Sequence, residues 1–188
     1  MSPLPFEPVA RQGLSRYPPT EAAEVWVPGD FILTHGPGPF SRLIRVGQRL
    51  RIRGDDRLFT YWSHAALVVS AHGDLIEANK PGVIRAHADD YRNVEYTVVH
   101  TDASPADREQ CVAFATACAD NHEAIGHTIF VSIALTLLTG AKVSFSVDGT
   151  TICSGLVARA QERTGVIFSR DPSHIMPADL AKYYDVRP

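Results

Sequence analysis

Cysteine is scarce in this chain, with three residues among 188. The count is odd and no two cysteines have the close spacing of a zinc-binding pair, which argues against a disulfide framework and a structural zinc site. Long hydrophobic runs are also missing, since the longest, residues 129–138, is interrupted by Ser132 and Thr136. A helix needs about 20 apolar residues to span a bilayer, so the sequence predicts no transmembrane segment.

An excess of positive charge is absent as well. The formal net charge is -3 at pH 7, which predicts no general affinity for nucleic acid. The first residues contain no basic region followed by an apolar run, so no secretion signal is predicted. We therefore expect a cytoplasmic protein that would leave a cell only by a non-classical route. Hydrophobic residues make up 45% of the chain and charged residues 21%, as in a globular domain.

The length of 188 residues fits one domain with a substantial core. Residues 1–23 contain five prolines and little periodicity, which predicts an extended N-terminal arm. Residues 24–188 then form the folded domain, and the closely spaced strands of its middle predict an antiparallel meander. Turn residues and apolar patterns predict short strands at residues 24–27, 31–34, 65–69, 75–78, 83–86, 94–101 and 143–147.

A first helix is predicted over residues 40–50, where apolar residues recur with helical spacing. Its other face carries Arg42, Arg45 and Arg49. We interpret these arginines as a solvated face. The alternative is an anionic contact, in which they bind phosphate or an acidic partner.

A second helix is predicted over residues 104–121, where Ser104 is a good N-cap and Pro105 occupies the first helical position. Cys111 and Cys118 lie about 10 Å apart along this helix by its rise per residue, which is too far for a disulfide. We expect both thiols to lie in the core. Later in the chain the sequence contains an apolar segment of undetermined structure and a short helix, at residues 124–140 and 178–184.

The most informative stretch is residues 148–165, DGTTICSGLVARAQERTG. It opens on a turn signal and two threonines, either of which caps a helix well, and it closes on Gly165. Cys153 therefore falls in the first helical turn, where free N–H groups and the helix dipole favour a thiolate. This position suits a nucleophile, and plain packing of a buried cysteine is the alternative. The residues that share the core-facing side of the helix with Cys153 are Leu156, Val157 and Ala160.

A cysteine nucleophile needs a base, and His64 stands at the start of an apolar strand. If residues 72–73 form a two-residue hairpin turn, position 68 faces 77 and position 66 faces 79. Since strand faces alternate, His64, Glu77 and Asn79 then lie on one face of the sheet. This register separates Glu77 from His64 by about 13 Å on a flat sheet, so twist, a bulge or a different turn must close the gap. Asn79 is nearer and is the fallback orienting residue; a purely structural histidine is the alternative.

These segments carry a resemblance to a known superfamily. SHAALVV at residues 63–69, a short turn and LIEA at 75–78 resemble the histidine strand and the following strand of NlpC-type, papain-like cysteine hydrolases. In the ordinary NlpC order the cysteine helix precedes the histidine, whereas here TICSGLV at 151–157 follows it. That order is similar to the circularly permuted branch, the YiiX-like proteins, which are related to lecithin:retinol acyltransferase-like enzymes. PGDFIL at 28–33 resembles the opening strand of this branch, and PADL at 177–180 its closing segment.

The resemblance implies an α+β, permuted papain-like fold, in which an antiparallel sheet or half-barrel packs against helices that include the Cys153 helix. It implies Cys153 as the nucleophile, His64 as the general base and then acid, and Glu77 as the residue that orients His64. The backbone amide of Cys153 is the implied oxyanion donor, and Asp30 has a structural role. No cofactor is implied.

The predicted function is that of a cysteine peptidase or amidase-type hydrolase, which cleaves an amide or ester through an acyl-enzyme. The substrate would be a peptide, another amide or a lipid amide. A second hypothesis is a lipid acyltransferase or thioesterase with the same triad, in which residues 129–138 help to hold an acyl chain. The remaining alternatives are a catalytically silent binding module on the same fold and a metal site formed by His64, Glu77 and Cys153.

Overall fold

A computed structural model describes residues 13–79, 82–121 and 153–188. In these ranges an antiparallel six-stranded sheet packs against α-helices, so the prediction of an α+β fold is confirmed. Several predictions lie outside the described residues. They are the apolar segment 124–140, the strand at 143–147, the threonine cap of the Cys153 helix and the first part of the arm, residues 1–12.

The strands follow one another across the sheet in the order β1-β6-β2-β3-β4-β5. From β2 to β5 each strand pairs with the next one in the chain, as a meander requires. β6 departs from the meander, because it returns across the sheet to pair with the other edge of β2. The strands are β1 Leu14–Tyr17, β2 Phe31–His35, β3 His64–Val68, β4 Asp74–Asn79, β5 Gly82–His87 and β6 Glu95–Val99.

The strands before β2 differ from those predicted. The described part of the arm contributes β1, which pairs with β6 at one edge of the sheet. The strand predicted at residues 24–27 is wrong, because these residues form a loop. Both edges of β2, the strand into which they lead, are already paired with β3 and β6. The loop therefore packs on a face of the sheet, where Trp26 is buried beside Tyr96 with ring centroids 6.2 Å apart.

The predicted helices in the described ranges are confirmed. They are α1 Pro39–Arg51, α2 Pro105–Asp120, α3 Cys153–Gln161 and α4 Pro177–Tyr183. A short 3-10 turn extends α3 to Gly165, whose left-handed backbone (φ 80°) ends the helical segment as predicted. None of the helices in the described part of the chain has the length and apolar composition needed to cross a bilayer.

The sheet separates two hydrophobic cores, because successive side chains of a strand point to opposite faces. The larger core lies between one face and the helices, and it includes Phe31, Leu67, Ile76, Leu156 and Leu180. The smaller core covers the other face, and it includes Trp26, Ile32, Ala66, Val68 and Tyr96.

Two of the three cysteines lie in the larger core, as predicted. Cys111 and Cys118 are 0% and 4% exposed, and neither is part of a disulfide. The Cys111 thiol donates to the carbonyl of Ala160 at 2.8 Å, which joins α2 to α3. Burial raises the pKa of Cys111 to about 11, so this thiol is a poor nucleophile at neutral pH.

A buried carboxylate fixes the start of β2. Asp30 is fully buried and accepts hydrogen bonds from Arg108 and His100, both at 2.7 Å, and from the backbone N–H of Thr101 at 3.0 Å. Gly29 has a φ of 90°, and a Cβ there would lie 2.8 Å from the Arg108 side chain. These contacts give Asp30 a structural role, in which it joins β2 to α2 and to the end of β6.

Candidate active site

α3 places Cys153 at the edge of the larger core. The helix packs against β3 and β4, and its residues Leu156, Val157 and Ala160 are fully buried, as their spacing predicts. The Ser154 hydroxyl donates to the carbonyl of Ile175 at 2.6 Å, which holds the first turn of the helix in place. Cys153 is the first residue of α3 and is partly buried.

The Cys153 sulfur lies beside the beginning of β3. It forms a hydrogen bond with the ring of His64, and it accepts hydrogen bonds from the backbone N–H groups of Ala65 and Ser154. Because Nε2 of His64 is engaged by Glu77, the ring nitrogen that faces the sulfur is Nδ1. The fold therefore brings together two side chains that are far apart in the sequence.

The imidazole of His64 connects the sulfur to a carboxylate. Its Nε2 lies 2.8 Å from Oε2 of Glu77. The side chains of His64 and Glu77 are 18% and 5% exposed, so the pair is largely shielded from water. Sulfur, imidazole and carboxylate therefore form one continuous series of hydrogen bonds.

The hairpin that presents His64 and Glu77 has a different register from the predicted one. Leu67 lies opposite Ile76, because the connection is a loop over residues 70–73 and not a two-residue turn. This change moves Glu77 two residues closer to His64, which leaves an offset of about 7 Å along the strands. Long side chains bridge such a diagonal. Because the shift is even, both residues remain on one face, and only the predicted register was wrong.

Two further side chains hold the carboxylate of Glu77. Asn79, the fallback orienting residue, donates from Nδ2 to Oε1 of Glu77 at 3.2 Å. The hydroxyl of Tyr91 donates to Oε2. The Tyr91 ring also stacks with the ring of His64, with centroids 6.1 Å apart and an interplanar angle of 17°. Tyr91 therefore touches both the orienting residue and the base.

Tyr91 was not predicted from the sequence. It ends a 3-10 helix, Ala88–Tyr91, that follows β5. No local motif marks this tyrosine, and it reaches Glu77 because β5 pairs with β4 and the chain then turns back. The feature of the sequence that could have indicated Tyr91 is an aromatic residue directly after the strand that pairs with β4.

The charges of Cys153 and His64 stabilise each other. Burial favours the neutral thiol of Cys153, but the positive charge of His64, its hydrogen bond and two backbone N–H groups together lower the pKa of the thiol. Burial also favours neutral His64, but the negative sulfur, its hydrogen bond and Glu77 hold the pKa of the imidazole well above its usual 6.5. The pair therefore favours the thiolate and imidazolium forms.

Glu77 stays ionised although it is buried. Burial favours its neutral form, but hydrogen bonds from His64, Tyr91 and Asn79 and the charge of His64 lower the pKa of the carboxyl group overall. Burial and the charge of Glu77 in turn raise the pKa of Tyr91, so its phenol remains protonated and continues to donate. Glu77 is thus a permanent acceptor that fixes the orientation of the imidazole.

The start of α3 also supplies a donor for developing negative charge. The first N–H groups of a helix have no acceptor within the helix, and they lie at its positive end. The N–H of Ser154 points to the sulfur. The N–H of Cys153, the predicted oxyanion donor, belongs to the same helix end.

The site residues do not converge as metal ligands. Among the residues that the structure describes, no group of three or more His, Cys, Asp or Glu side chains is arranged to hold a metal ion. His64 lies between Cys153 and Glu77 and uses one ring nitrogen for each, so the three groups form a line. Metal coordination needs lone pairs that point to a common centre.

The arginines interpreted as a solvated face, with an anionic contact as the alternative, lie on α1. Arg42 and Arg49 are exposed, whereas Arg45 is partly buried and donates to the carbonyl of Gly36 at 2.7 Å. They form a basic face on α1. This helix contributes no residue to the hydrogen-bonded series of Cys153, His64 and Glu77.

No protein-family model and no curated protein matches this chain. The function proposed below therefore depends on the geometry of the site and on the motifs of the sequence.

Proposed function

We propose that this protein is a cysteine hydrolase that cleaves an amide or ester bond through an acyl-enzyme on Cys153. The observation that carries the proposal is the hydrogen-bonded chain from the Cys153 sulfur through His64 to Glu77. A cysteine that only fills space needs no ionised partner, whereas a nucleophile needs a base and the base needs an orienting group. The three groups come from α3, β3 and β4, so one packed core holds them together.

In the proposed reaction the Cys153 thiolate attacks the carbonyl carbon, and the carbonyl electron pair moves to oxygen, which the N–H of Cys153 stabilises. The imidazolium of His64 gives its Nδ1 proton to the leaving amine or alkoxide as the bond to the acyl carbon breaks. Neutral His64 then takes a proton from water, and the resulting hydroxide attacks the thioester. Release of the carboxylic acid leaves the thiolate and the imidazolium, so protons and electrons balance over the cycle.

Glu77, Tyr91 and Asn79 are positioning residues in this proposal. Glu77 holds the imidazole so that Nδ1 faces the sulfur, and it stabilises the imidazolium. Tyr91 and Asn79 donate to the two oxygens of Glu77 and so fix the carboxylate itself. Support of this kind keeps reacting groups within the narrow geometry that catalysis needs.

The resemblance to the circularly permuted, NlpC-type branch supports the same assignment from the sequence. It covers the histidine strand, the strand that carries Glu77 and the cysteine helix in their permuted order. On this basis we propose a permuted papain-like fold within the α+β class, with residues 24–188 as its catalytic domain. The proposed substrate is a peptide, another amide or a lipid amide.

The alternatives have less support. Acyl transfer and thioester hydrolysis would use the same acyl-enzyme, but the residues suggested to hold an acyl chain, 129–138, lie outside the described ranges. A binding module would have no use for a buried thiolate and imidazolium, whose desolvation costs free energy. Hydrolysis is therefore the function that the geometry favours.

Alkylation with iodoacetamide tests the state of the nucleophile. Between about pH 5 and pH 8 we expect Cys153 to react fastest of the three cysteines, because its lowered pKa increases the fraction present as thiolate. Mass spectrometry of the intact and digested protein identifies the modified residue, and buried Cys111 and Cys118 are internal references. In His64→Ala the thiol should return toward its usual pKa of about 8.5 and react faster as the pH rises. Equal rates for the three cysteines would contradict the proposal.

An activated ester tests the chemistry directly. With p-nitrophenyl acetate we expect a burst of p-nitrophenol and an acetyl group on Cys153, because deacylation lags behind acylation. Cys153→Ala and His64→Ala should lower kcat/KM by at least about 1,000-fold, as removal of a nucleophile or base does in hydrolases of this kind. An acetyl group that forms elsewhere, or unchanged turnover in Cys153→Ala, would exclude the assigned nucleophile.

A further inference from the structure

Part of the apolar side of α1 faces solvent. Val46 and Leu50 are 44% and 57% exposed. The buried residues of α1 are instead Gly47 and the polar Gln48, which is 2% exposed and lies between α1 and two other segments. An amphipathic helix of a globular protein normally buries its apolar side. The orientation of α1 therefore leaves an apolar strip available to a partner.

Hydrogen bonds hold α1 in this orientation. Nε2 of Gln48 donates to the carbonyl of Trp62 at 2.8 Å, and its Oε1 accepts from the N–H of Ala178 at 2.9 Å. Rotation of the helix to bury Val46 and Leu50 would break both bonds and leave buried polar groups unpaired. The exposure of the strip is thus built into the packing of α1.

Positive charge lies beside the apolar strip. Arg42 and Arg49 are exposed, and α1 contains no acidic residue. Burial, together with the charges of Arg49 and Arg42, lowers the pKa of Arg45. α1 therefore combines an apolar strip with charge of one sign.

α1 also begins near the candidate active site. Thr34, near the end of β2, pairs with His64. The backbone N–H of Gly36 donates to the hydroxyl of Ser63 at 3.2 Å, and α1 starts at Pro39, a short distance along the chain. The helix thus follows directly from the end of the sheet where His64 lies.

We propose that α1 is an interfacial helix that binds the surface of an anionic lipid bilayer. Val46 and Leu50 would enter the boundary between headgroups and acyl chains, while Arg42 and Arg49 pair with lipid phosphates. Charge complementarity selects this partner, because anionic bilayers present phosphates directly above an apolar layer. With 13 residues, α1 is about 20 Å long and lies on the bilayer, whose apolar core is about 30 Å thick.

Membrane binding goes beyond the proposed hydrolase activity and does not depend on it. The inference about the substrate does rest on the proposed hydrolase activity. An active site beside a membrane-bound helix would act on an amide or ester of a lipid. The two can be separated, because Cys153→Ala abolishes the proposed chemistry and leaves α1 unchanged. We expect this variant to bind vesicles like the unmodified protein.

Vesicle flotation of the full chain tests the proposal. We expect binding to phosphatidylcholine vesicles that contain phosphatidylglycerol, and at least about ten-fold weaker binding to phosphatidylcholine alone. Molar salt should reduce the binding, because the screening length falls to about 3 Å. Val46→Glu together with Leu50→Glu should lower the partition coefficient at least about ten-fold. Arg42→Gln and Arg49→Gln should each lower it about five-fold.

Ile167→Glu is the matched control, because Ile167 is 84% exposed and lies outside α1. It should leave the partition coefficient unchanged within about two-fold, as surface changes away from an interface do. Thermal unfolding of each variant checks that the fold is retained. Absent vesicle binding, or binding that the α1 variants do not weaken, would overturn the proposal. So would a concentration-dependent dimer that Val46→Glu and Leu50→Glu dissociate, because the strip would then be a contact between copies of the chain.

Discussion

At the scale of single residues, the site depends on a carboxylate that remains charged although it is buried. Glu77 is 3% exposed, and its charge is maintained by donors on His64, Tyr91 and Asn79. A buried charge is tolerated only when it is paired and hydrogen-bonded. The donors around Glu77 therefore determine how firmly His64 is held.

Tyr91→Phe tests this dependence, because it removes the hydroxyl donor and keeps the ring that stacks with His64. With one donor fewer, the pKa of Glu77 rises, so the carboxylate protonates at a higher pH as the solution is acidified. We expect kcat for an activated ester to fall about ten-fold with little change in KM, which corresponds to the loss of one hydrogen bond to a charged group. The acidic limb of the pH–rate profile should move to higher pH.

Tyr17→Phe provides the control for this substitution. Tyr17 is also partly buried and stacked, but it lies on β1, which is at the opposite edge of the sheet from β5. Its kinetics and pH profile should match those of the unmodified protein. If Tyr91→Phe behaved in the same way, Tyr91 would have no positioning role.

The sequence indicated Cys153, His64, Glu77 and Asn79 but gave no indication of Tyr91. Strand parity placed His64 and Glu77 on one face, and helix position marked Cys153 as a thiolate. Both signals depend only on residues close together in the sequence. A register error of two residues leaves His64 and Glu77 on the same face. Tyr91 acts from a different segment, and no short-range pattern connects it to Glu77.

At the scale of elements, the loop between β3 and β4 determines which residues meet. Residues 70–73 replace the expected two-residue turn, and Gly73 adopts a left-handed backbone with a φ of 89°. A Cβ at this position would lie 3.2 Å from the side chains of Ala88 and Trp26. The loop, and with it the register that brings Glu77 to His64, therefore requires glycine.

Gly73→Ala should destabilise the protein by about 2 kcal/mol or more, because it combines an unfavourable backbone region with crowding. Gly54→Ala is the matched substitution, since Gly54 also has positive φ (65°) but open space around it. We expect it to cost about 1 kcal/mol, from the backbone alone. Urea denaturation of the two variants measures the difference. Equal losses would show that crowding at Gly73 is unimportant.

Helices were better predicted than the strand before β2, for a physical reason. The ends of α2 and of the α3 segment are set by residues at those ends, such as Ser104 and Gly165. Residues 24–27 have the composition of a strand, but pairing depends on a free edge, and the strand they lead into already has two partners. Whether a strand edge is free to pair depends on the whole sheet, so a segment of four residues cannot indicate it.

At the scale of the whole molecule, Asp30 joins segments that are distant in sequence. Its carboxylate connects β2 with Arg108 on α2 and with His100 after β6. Gln161, at the end of α3, donates to the carbonyl of the adjacent Gly29 at 2.9 Å. The helix that carries the nucleophile is thereby attached, at its far end, to the centre of the sheet.

Asp30→Asn should lower the free energy of unfolding by about 3 kcal/mol, because Arg108 loses the charge that compensates its own. The alkylation rate of Cys153 per folded molecule should remain unchanged, since the contacts of Asp30 are structural. Asp102→Asn is the control, because Asp102 is exposed on the loop that follows β6. It should change the free energy of unfolding by less than about 0.5 kcal/mol. Loss of Cys153 reactivity in stably folded Asp30→Asn would contradict the structural assignment.

The sequence by itself determined the α+β class, the helices with clear end signals, the buried Cys111 and Cys118, and the face shared by His64 and Glu77. These features follow from periodicity and from residues at element ends, which act over a few positions. Only the tertiary structure decided the register of β3 and β4, the return of β6, the place of Tyr91 beside Glu77 and the outward strip of α1. Each of these depends on which distant segments compete for the same edge or surface, and a local pattern contains no information about that competition.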